Sequence, residues 1–103
     1  NPDQQPAYYA GYARYGFDKQ ATEARREGSR IGYGLVSGRQ IIRLETFWYS
    51  RATYAAALEA AGFRAVGWHP LQLDPVVESP EFYGAYVRNP PVLGLTAVKA
   101  AGP

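Results

Sequence analysis

One histidine is the side chain in this sequence best suited to acid–base chemistry. His69, the single histidine, follows Trp68 at the end of a predicted strand and precedes Pro70. Open α/β sheets bind ligands beyond the carboxyl ends of their strands, and the pKa range of an imidazole suits a general base. His69 therefore has two interpretations: a proton-accepting or substrate-orienting group, and a histidine with a purely structural hydrogen bond.

Aromatic residues form two groups that could line a ligand pocket. Tyr8, Tyr12 and Tyr15 have the spacing of one helical face. Together with Tyr9 they are too many aromatics for a purely solvated helix, so the four either pack against a neighbour or cover a substrate. Residues 47–49, Phe-Trp-Tyr, combine apolar surface with polar tips. Because side chains alternate along a strand, Trp48 faces away from its two neighbours, and at least one of the three should belong to the core.

Composition and motifs argue against several other kinds of site. Without cysteine the chain has no thiolate nucleophile, disulfide or thiolate metal site. One histidine and scattered carboxylates show no metal-ligand spacing, and neither a G-x-S-x-G nucleophile elbow nor a phosphate-binding glycine-rich loop is present. We therefore expect no metal site.

Charge and hydropathy limit the kinds of partner that the chain can have. The net charge of +2 comes from scattered basic residues, which argues against nucleic acid as a partner. No apolar run approaches the ~20 residues that cross a bilayer, and the first residues lack the order of a secretory signal. These features predict a cytoplasmic protein with a modest core.

The first half of the chain is predicted to form a helix and a hairpin. Tyrosine spacing predicts a helix over 5–15, followed by a polar connection from 17 to 28 in which Arg25, Arg26 and Glu27 form a solvated turn. Alternation over 30–36 and 39–48, with Ser37-Gly38 between them, predicts a β-hairpin. One face of this hairpin is apolar, with Ile31, Tyr33, Leu35, Gln40, Ile42 and Leu44. The opposite face carries Gly32 and Gly34 with Arg43 and Glu45, which could pair with each other there.

The second half is predicted to alternate helices and strands. Ser50 should cap a helix over 51–61 that ends at Gly62, and a strand over 64–68 follows. Ser79 and Pro80 should begin a short helix that reaches about residue 87. The apolar run 92–99 predicts a strand covered on both faces. The whole is an α/β chain whose last strand needs neighbours that the chain can hardly supply alone.

Four stretches together resemble the C-terminal end of bacterial class I methyltransferases. They are Y-G-F-D-K at 15–19, E-T-F-W-Y-S leading into Y-A-A-A-L-E-A-A-G-F over 45–63, W-H-P at 68–70 and N-P-P-V-L-G-L-T-A at 89–97. Within that class it resembles toxoflavin-type and other natural-product methyltransferases, and the resemblance covers almost all of the chain.

The resemblance implies a Rossmann-like fold that is incomplete in this chain. Helix 51–61 would be the last large helix, 64–68 the sixth strand, and 92–99 the antiparallel seventh strand between the sixth and the fifth. Residues 1–103 would form the substrate-facing section, with a helix and connection over 1–28, a β-hairpin lid over 29–49, and the last helix and two strands over 50–103.

The resemblance also implies methyl transfer from S-adenosylmethionine to a small-molecule acceptor. Pocket walls are expected from Tyr12, Tyr15, Phe47 and Tyr49, with His69 as the candidate catalytic residue. The cofactor loop of the family lies on earlier strands, so no cofactor-binding residue is expected here. The expected partners are an N-terminal cofactor-binding section or a second copy, and the 103 residues alone are not expected to methylate.

Two other functions remain open from the sequence. In one, the apolar hairpin face and the tyrosine-rich helix enclose an apolar ligand in a small, free-standing binding module. In the other, exposed strand edges pair between two copies and the chain is a dimerisation module. Cofactor binding and the mass in solution distinguish these alternatives from the methyltransferase.

Overall fold

A computed structural model describes residues 1–101. They form two compact units, one made of Pro2–Ser50 and one made of Asn1 with the residues from Arg51 onward. The first unit contains a three-stranded sheet and the second a two-stranded sheet with helices. All strand pairs in both sheets are antiparallel. The chain is thus a mixture of helices and antiparallel strands.

The sheet of the first unit contains one strand more than predicted. Its strands are β1 (Phe17–Ala21), β2 (Arg30–Ser37) and β3 (Gln40–Phe47), in the order β1-β2-β3. The hairpin is confirmed, whereas β1 lies where a polar connection was predicted. The local signal of β1 is weak because only five residues alternate, and pairing with β2 determines its strand conformation.

The hairpin turn lies one residue later than predicted. Ser37 pairs with Gln40, so Gly38 and Arg39 form the turn. Gly38 has a φ of +63°, which glycine adopts without strain. The register is therefore shifted by two residues. Because side chains alternate with a period of two, Leu35 and its partner Ile42 still share the predicted face.

Two short 3₁₀ turns replace the predicted N-terminal helix. They span Pro6–Tyr8 and Ala13–Tyr15. Gly11, between them, has a φ of +94°, and this left-handed backbone interrupts a helical path. The segment lies on the sheet, where Tyr9 and Tyr12 are buried together with Ile31 as the apolar core of the unit.

The second unit has the element types that the sequence predicts. Its elements are α1 (Arg51–Ala60), β4 (Phe63–His69), a 3₁₀ turn (Pro80–Tyr83), α2 (Gly84–Arg88) and β5 (Gly94–Lys99). After α1, Gly62 has a φ of +90° and its N–H donates to the Glu59 carbonyl at 3.0 Å, as expected of a C-cap. The predicted Ser79 cap is wrong, because its side chain makes no capping bond and its φ is +52°.

β4 and β5 form an irregular antiparallel pair. The register shifts between Arg64 and Gly67, and Ala65 has a φ of +53° within this bulge. The last strand is predicted to be covered on both faces by neighbours that this chain hardly supplies, and the described residues leave it uncovered. Leu95 is 37% and Val98 52% exposed, because the sheet has only two strands here.

Candidate functional site

Among the described residues, Lys19 in the middle of β1 is the charged residue whose side chain is buried. It is 4% exposed and lies on the same sheet face as Phe17. Its Nζ donates to Gln4 Oε1 at 2.7 Å. The ammonium also lies 4.4 Å from the ring centroid of Tyr9 and 5.5 Å from that of Tyr33, within the range of cation–π attraction.

Gln4 connects Lys19 to the tyrosines. Its Nε2 donates to the Tyr12 hydroxyl at 2.6 Å, while its Oε1 accepts from Lys19. These two bonds use both ends of the amide, so they fix its orientation. The Tyr12 ring in turn stacks on Phe17, with centroids 5.2 Å apart and planes at 11°. The 3₁₀ segment is thereby anchored to the first residue of β1.

Arg25 brings a second cation to this cluster. Its Nη2 donates to the Gln4 carbonyl and, at 3.0 Å, to the Tyr9 hydroxyl. The guanidinium lies 4.9 Å from the Trp48 ring centroid. The prediction of a solvated turn is therefore wrong for Arg25, whose side chain connects the segment after β1 to the N-terminal residues. We call Gln4, Tyr9, Tyr12, Lys19 and Arg25 the lysine cluster.

Burial, and secondly the positive charge of Arg25, lower the pKa of Lys19 from 10.5 to about 8. A lysine with this pKa can hold an anion while it is protonated, and above pH 8 its neutral amine can accept a proton. With 4% exposure, however, the amine contacts a ligand only if the N-terminal segment moves. In the observed arrangement the lysine cluster positions the N-terminal segment on the sheet.

The structure brings two of the predicted pocket residues together. The rings of Tyr12 and Tyr15 have centroids 6.1 Å apart. Tyr12 is 3% exposed, so its ring belongs to the interior of the unit, whereas Tyr15 is half-buried. Tyr8, which shares their predicted helical face, is 51% exposed.

Phe47 and Tyr49 flank Trp48 at the end of the hairpin. Phe47 is the last residue of β3. Both are exposed, Phe47 at 48% and Tyr49 at 38%. Trp48 between them is half-buried and its Nε1 donates to the Pro2 carbonyl at 3.2 Å, which confirms the predicted alternation. Assignment of these residues to an acceptor pocket stays a prediction.

His69 belongs to the second unit and ends β4. Its Nε2 lies 2.7 Å from Thr96 Oγ1 on β5, and its ring lies over Gly67, where an added Cβ would be 3.1 Å from Nε2. This is the hydrogen bond that the structural interpretation predicts. Because the ring is also exposed, contact with a ligand is sterically possible.

Of the lysine cluster, the tyrosine pattern identified Tyr9 and Tyr12. Gln4 and Lys19 were missed, and Arg25 was assigned to a solvated turn. One signal was present in the sequence F-D-K-Q-A. Lys19 lies two residues from both Phe17 and Ala21, so in a strand its side chain is on the same face as these apolar residues. No local signal identifies Gln4, because its side chain bonds Tyr12 and Lys19, which are 8 and 15 residues away along the chain.

Searches for other kinds of site and for relatives give negative results. Within residues 1–101, no group of three or more His, Asp or Glu side chains could hold a metal ion. None of the helices in that range has the length and apolar character of a membrane span. No protein-family model matches the chain, and no curated protein is significantly similar to it.

Proposed function

We propose that this chain is the acceptor-facing section of a class I S-adenosylmethionine-dependent methyltransferase that acts on a small molecule. The observation that carries the proposal is the pairing of β4 with β5. α1 leads through Gly62 directly into β4, and β5 returns antiparallel to β4 after a loop and a short helix. This is the order and direction that the resemblance implies for the last helix and the last two strands of a Rossmann-like sheet.

The exposed apolar residues of β5 support a further strand beside it. A two-stranded sheet is marginally stable alone in water, and Leu95 and Val98 expose apolar surface that a neighbouring layer would cover. In the proposed fold, the fifth strand of the Rossmann-like sheet pairs with the outer edge of β5. That strand and the cofactor-binding section would come from residues outside this sequence.

The described residues do not fit the cofactor itself. The G-x-G of the chain, Gly32 and Gly34, lies in the middle of β2 rather than in a loop before a helix. The Asp18 carboxylate lies over Gly34, where an added Cβ would be 2.5 Å from Oδ1. A carboxylate in this position disfavours the anionic end of S-adenosylmethionine. We therefore assign no cofactor contact to this chain.

Each unit offers candidate acceptor contacts of its own, aromatic walls in the first and one exposed imidazole in the second. Phe47 and Tyr49 are exposed and can contact an apolar acceptor directly, and the half-buried Tyr15 is a further candidate for the wall. A hydroxyl or amine acceptor loses a proton when it is methylated, and His69 is the proposed proton acceptor. The protein would otherwise act by holding the acceptor atom in line with the methyl group.

The test uses the natural polypeptide that contains this sequence. Calorimetry with S-adenosylmethionine measures cofactor binding, and transfer of a labelled methyl group to a panel of small phenols and amines measures activity. We expect both, and we expect Phe47→Ala to raise the acceptor KM about tenfold through lost apolar contact, with an unchanged cofactor Kd. Val76→Ala, at a loop residue that is 84% exposed, is the control and should change neither.

A His69→Gln variant distinguishes the two interpretations of His69. Glutamine can still hydrogen-bond Thr96 but cannot accept the proton, so a catalytic His69 predicts a lower kcat with an unchanged KM. An unchanged kcat would favour the structural interpretation. Failure of the natural polypeptide to bind S-adenosylmethionine would contradict the methyltransferase proposal as a whole.

A further inference from the structure

The outer edge of β3 has unused backbone hydrogen-bonding groups. In the described part of the chain β3 is an edge strand, and all eight of its residues are exposed. Just beyond it, the Trp48 N–H donates to Ser29 and the Trp48 carbonyl accepts from Gly28, both at 2.8 Å. Hydrogen-bonding direction alternates along an antiparallel strand, so the even-numbered residues of β3 bond to β2. The N–H and C=O groups of Ile41, Arg43, Glu45 and Phe47 therefore point outward.

Two charged residues, Arg43 and Glu45, also lie on this edge. Arg43 and Glu45 make no side-chain hydrogen bond or ion pair within residues 1–101, so the pairing expected between them is absent. They lie on one face of the strand, two residues apart, with Leu44 between them on the other face. An exposed edge with unpaired backbone groups and apolar side chains is a template for another strand.

We propose that this edge pairs antiparallel with the same edge of a second copy of the chain, joining two three-stranded sheets into one of six strands. With a two-fold axis at Leu44, Arg43 of each copy lies opposite Glu45 of the other, and Ile41 lies opposite Phe47. The four outward residues then form hydrogen-bonded pairs. The pairing requires neither cofactor binding nor methyl transfer.

Charge and backbone direction select this register. An axis at Arg43 would place two arginines opposite each other, and an axis at Glu45 two glutamates, and like charges directly opposite destabilise an antiparallel pair. If the two-fold axis passed between two residues, each residue with outward-pointing N–H and C=O groups would face a residue whose own groups bond to β2. No ladder of hydrogen bonds could then form between the two copies. With the axis at Leu44, two opposite-charge pairs form at once.

The same register covers apolar surface on both faces of the sheet. Ile41 is 60% and Phe47 48% exposed on one face, and Leu44 is 47% exposed on the other. Pairing places Ile41 against Phe47 at two symmetric positions and Leu44 against its own equivalent. A second copy therefore offers each of these side chains a cross-strand neighbour of similar polarity.

A single engineered cysteine tests the register, because the chain contains none. Leu44→Cys would face its own equivalent in a non-hydrogen-bonded pair, with Cα atoms about 4.5 Å apart, which a disulfide can bridge. Ile42→Cys is the matched control, since its equivalent is about 14 Å away along the strand. Under mild oxidation we expect a reducible covalent dimer from L44C and none from I42C. Equal cross-linking of both variants, or of neither, would overturn the proposed register.

Charge-reversal variants distinguish a loss of pairing between the two copies from a loss of folding. R43E and E45R each place like charges opposite each other, so each should raise the dimer dissociation constant about tenfold or more in sedimentation experiments. An equimolar mixture of the two variants should recover dimerisation, because each copy then meets the opposite charge at both positions. Misfolded variants would not recover on mixing. A wild-type chain that stays monomeric up to about 1 mM, or a mixture that stays monomeric, would overturn the proposal.

Discussion

At the scale of single residues, Lys19 couples the stability of the first unit to pH. Its side chain is 4% exposed and shares Gln4 and Tyr9 with a second cation, Arg25. The positive form of a buried amine is disfavoured relative to the unfolded chain, where water solvates it. The cluster therefore fixes the N-terminal segment at an electrostatic cost that depends on protonation.

The lowered pKa of Lys19 predicts a stability that increases at alkaline pH. Between about 8 and 10.5 the unfolded chain binds more protons at this site than the folded chain does, so the free energy of unfolding rises with pH across that window. Below pH 8 both states are protonated and the full cost of burying the charge is present. We expect Lys19→Met to remove this rise, which should amount to about 1–3 kcal/mol. Denaturant titrations at pH 7, 8.5 and 10 measure it.

The chain's other lysine provides the control for that measurement. Lys99 is exposed, with its Nζ 2.9 Å from the Ala61 carbonyl. Lys99→Met should leave the alkaline rise intact, because the variant retains Lys19. If the pH dependence of wild type and Lys19→Met were the same, Lys19 would have an ordinary pKa in the folded chain.

At the scale of elements, the bulge in β4 stores backbone strain at a single residue. Ala65 has a φ of +53°, a left-handed conformation that costs a residue with a Cβ about 1 kcal/mol relative to glycine. We expect Ala65→Gly to raise the free energy of unfolding by about 1 kcal/mol, because it relieves this strain at an exposed position. Thermal or chemical denaturation checks the change.

An alanine in regular helix gives the matched comparison for Ala65. Ala56 is exposed within α1, where the same substitution to glycine should lower the free energy of unfolding by about 1 kcal/mol. The two substitutions therefore have opposite expected signs. A loss of stability in both would mean that Ala65 is not held in the left-handed conformation.

At the scale of the whole molecule, the two sheets should differ in local stability. β2 is the central strand of three, whereas β5 has one partner and exposed apolar residues. Local opening is easier where few buried contacts hold a strand. In the 103-residue chain we expect β5 amides to exchange with solvent at least tenfold faster than β2 amides. Amide hydrogen exchange resolved by NMR or mass spectrometry measures both.

The same experiment on the natural polypeptide tests whether β5 has another neighbour. A strand paired with its outer edge, as the proposed fold requires, should slow exchange along β5 to a rate similar to that of β2. Slow exchange of β5 in the 103-residue chain itself would show that two strands are sufficient and would remove the main structural support for a missing strand.

Local patterns in the sequence determined much of the secondary structure. Helix α1 needed only its alanine-rich run and Gly62, whose left-handed C-cap is a local property. The β2–β3 hairpin needed only alternation around a short turn, and its faces were predictable although the register was shifted by two residues. These features depend on neighbours within a few positions, which a sequence pattern contains.

Only the tertiary structure decided which residues are buried and where strands find partners. β1 exists because it pairs with β2, Lys19 is buried because Gln4 and Tyr9 fold over it, and β5 is exposed because the described chain provides it with one neighbour. Each of these depends on contacts between residues distant in sequence, whose energies no local pattern contains. The sequence alone therefore predicted most elements, whereas the buried lysine cluster and the self-complementary edge of β3 required the fold.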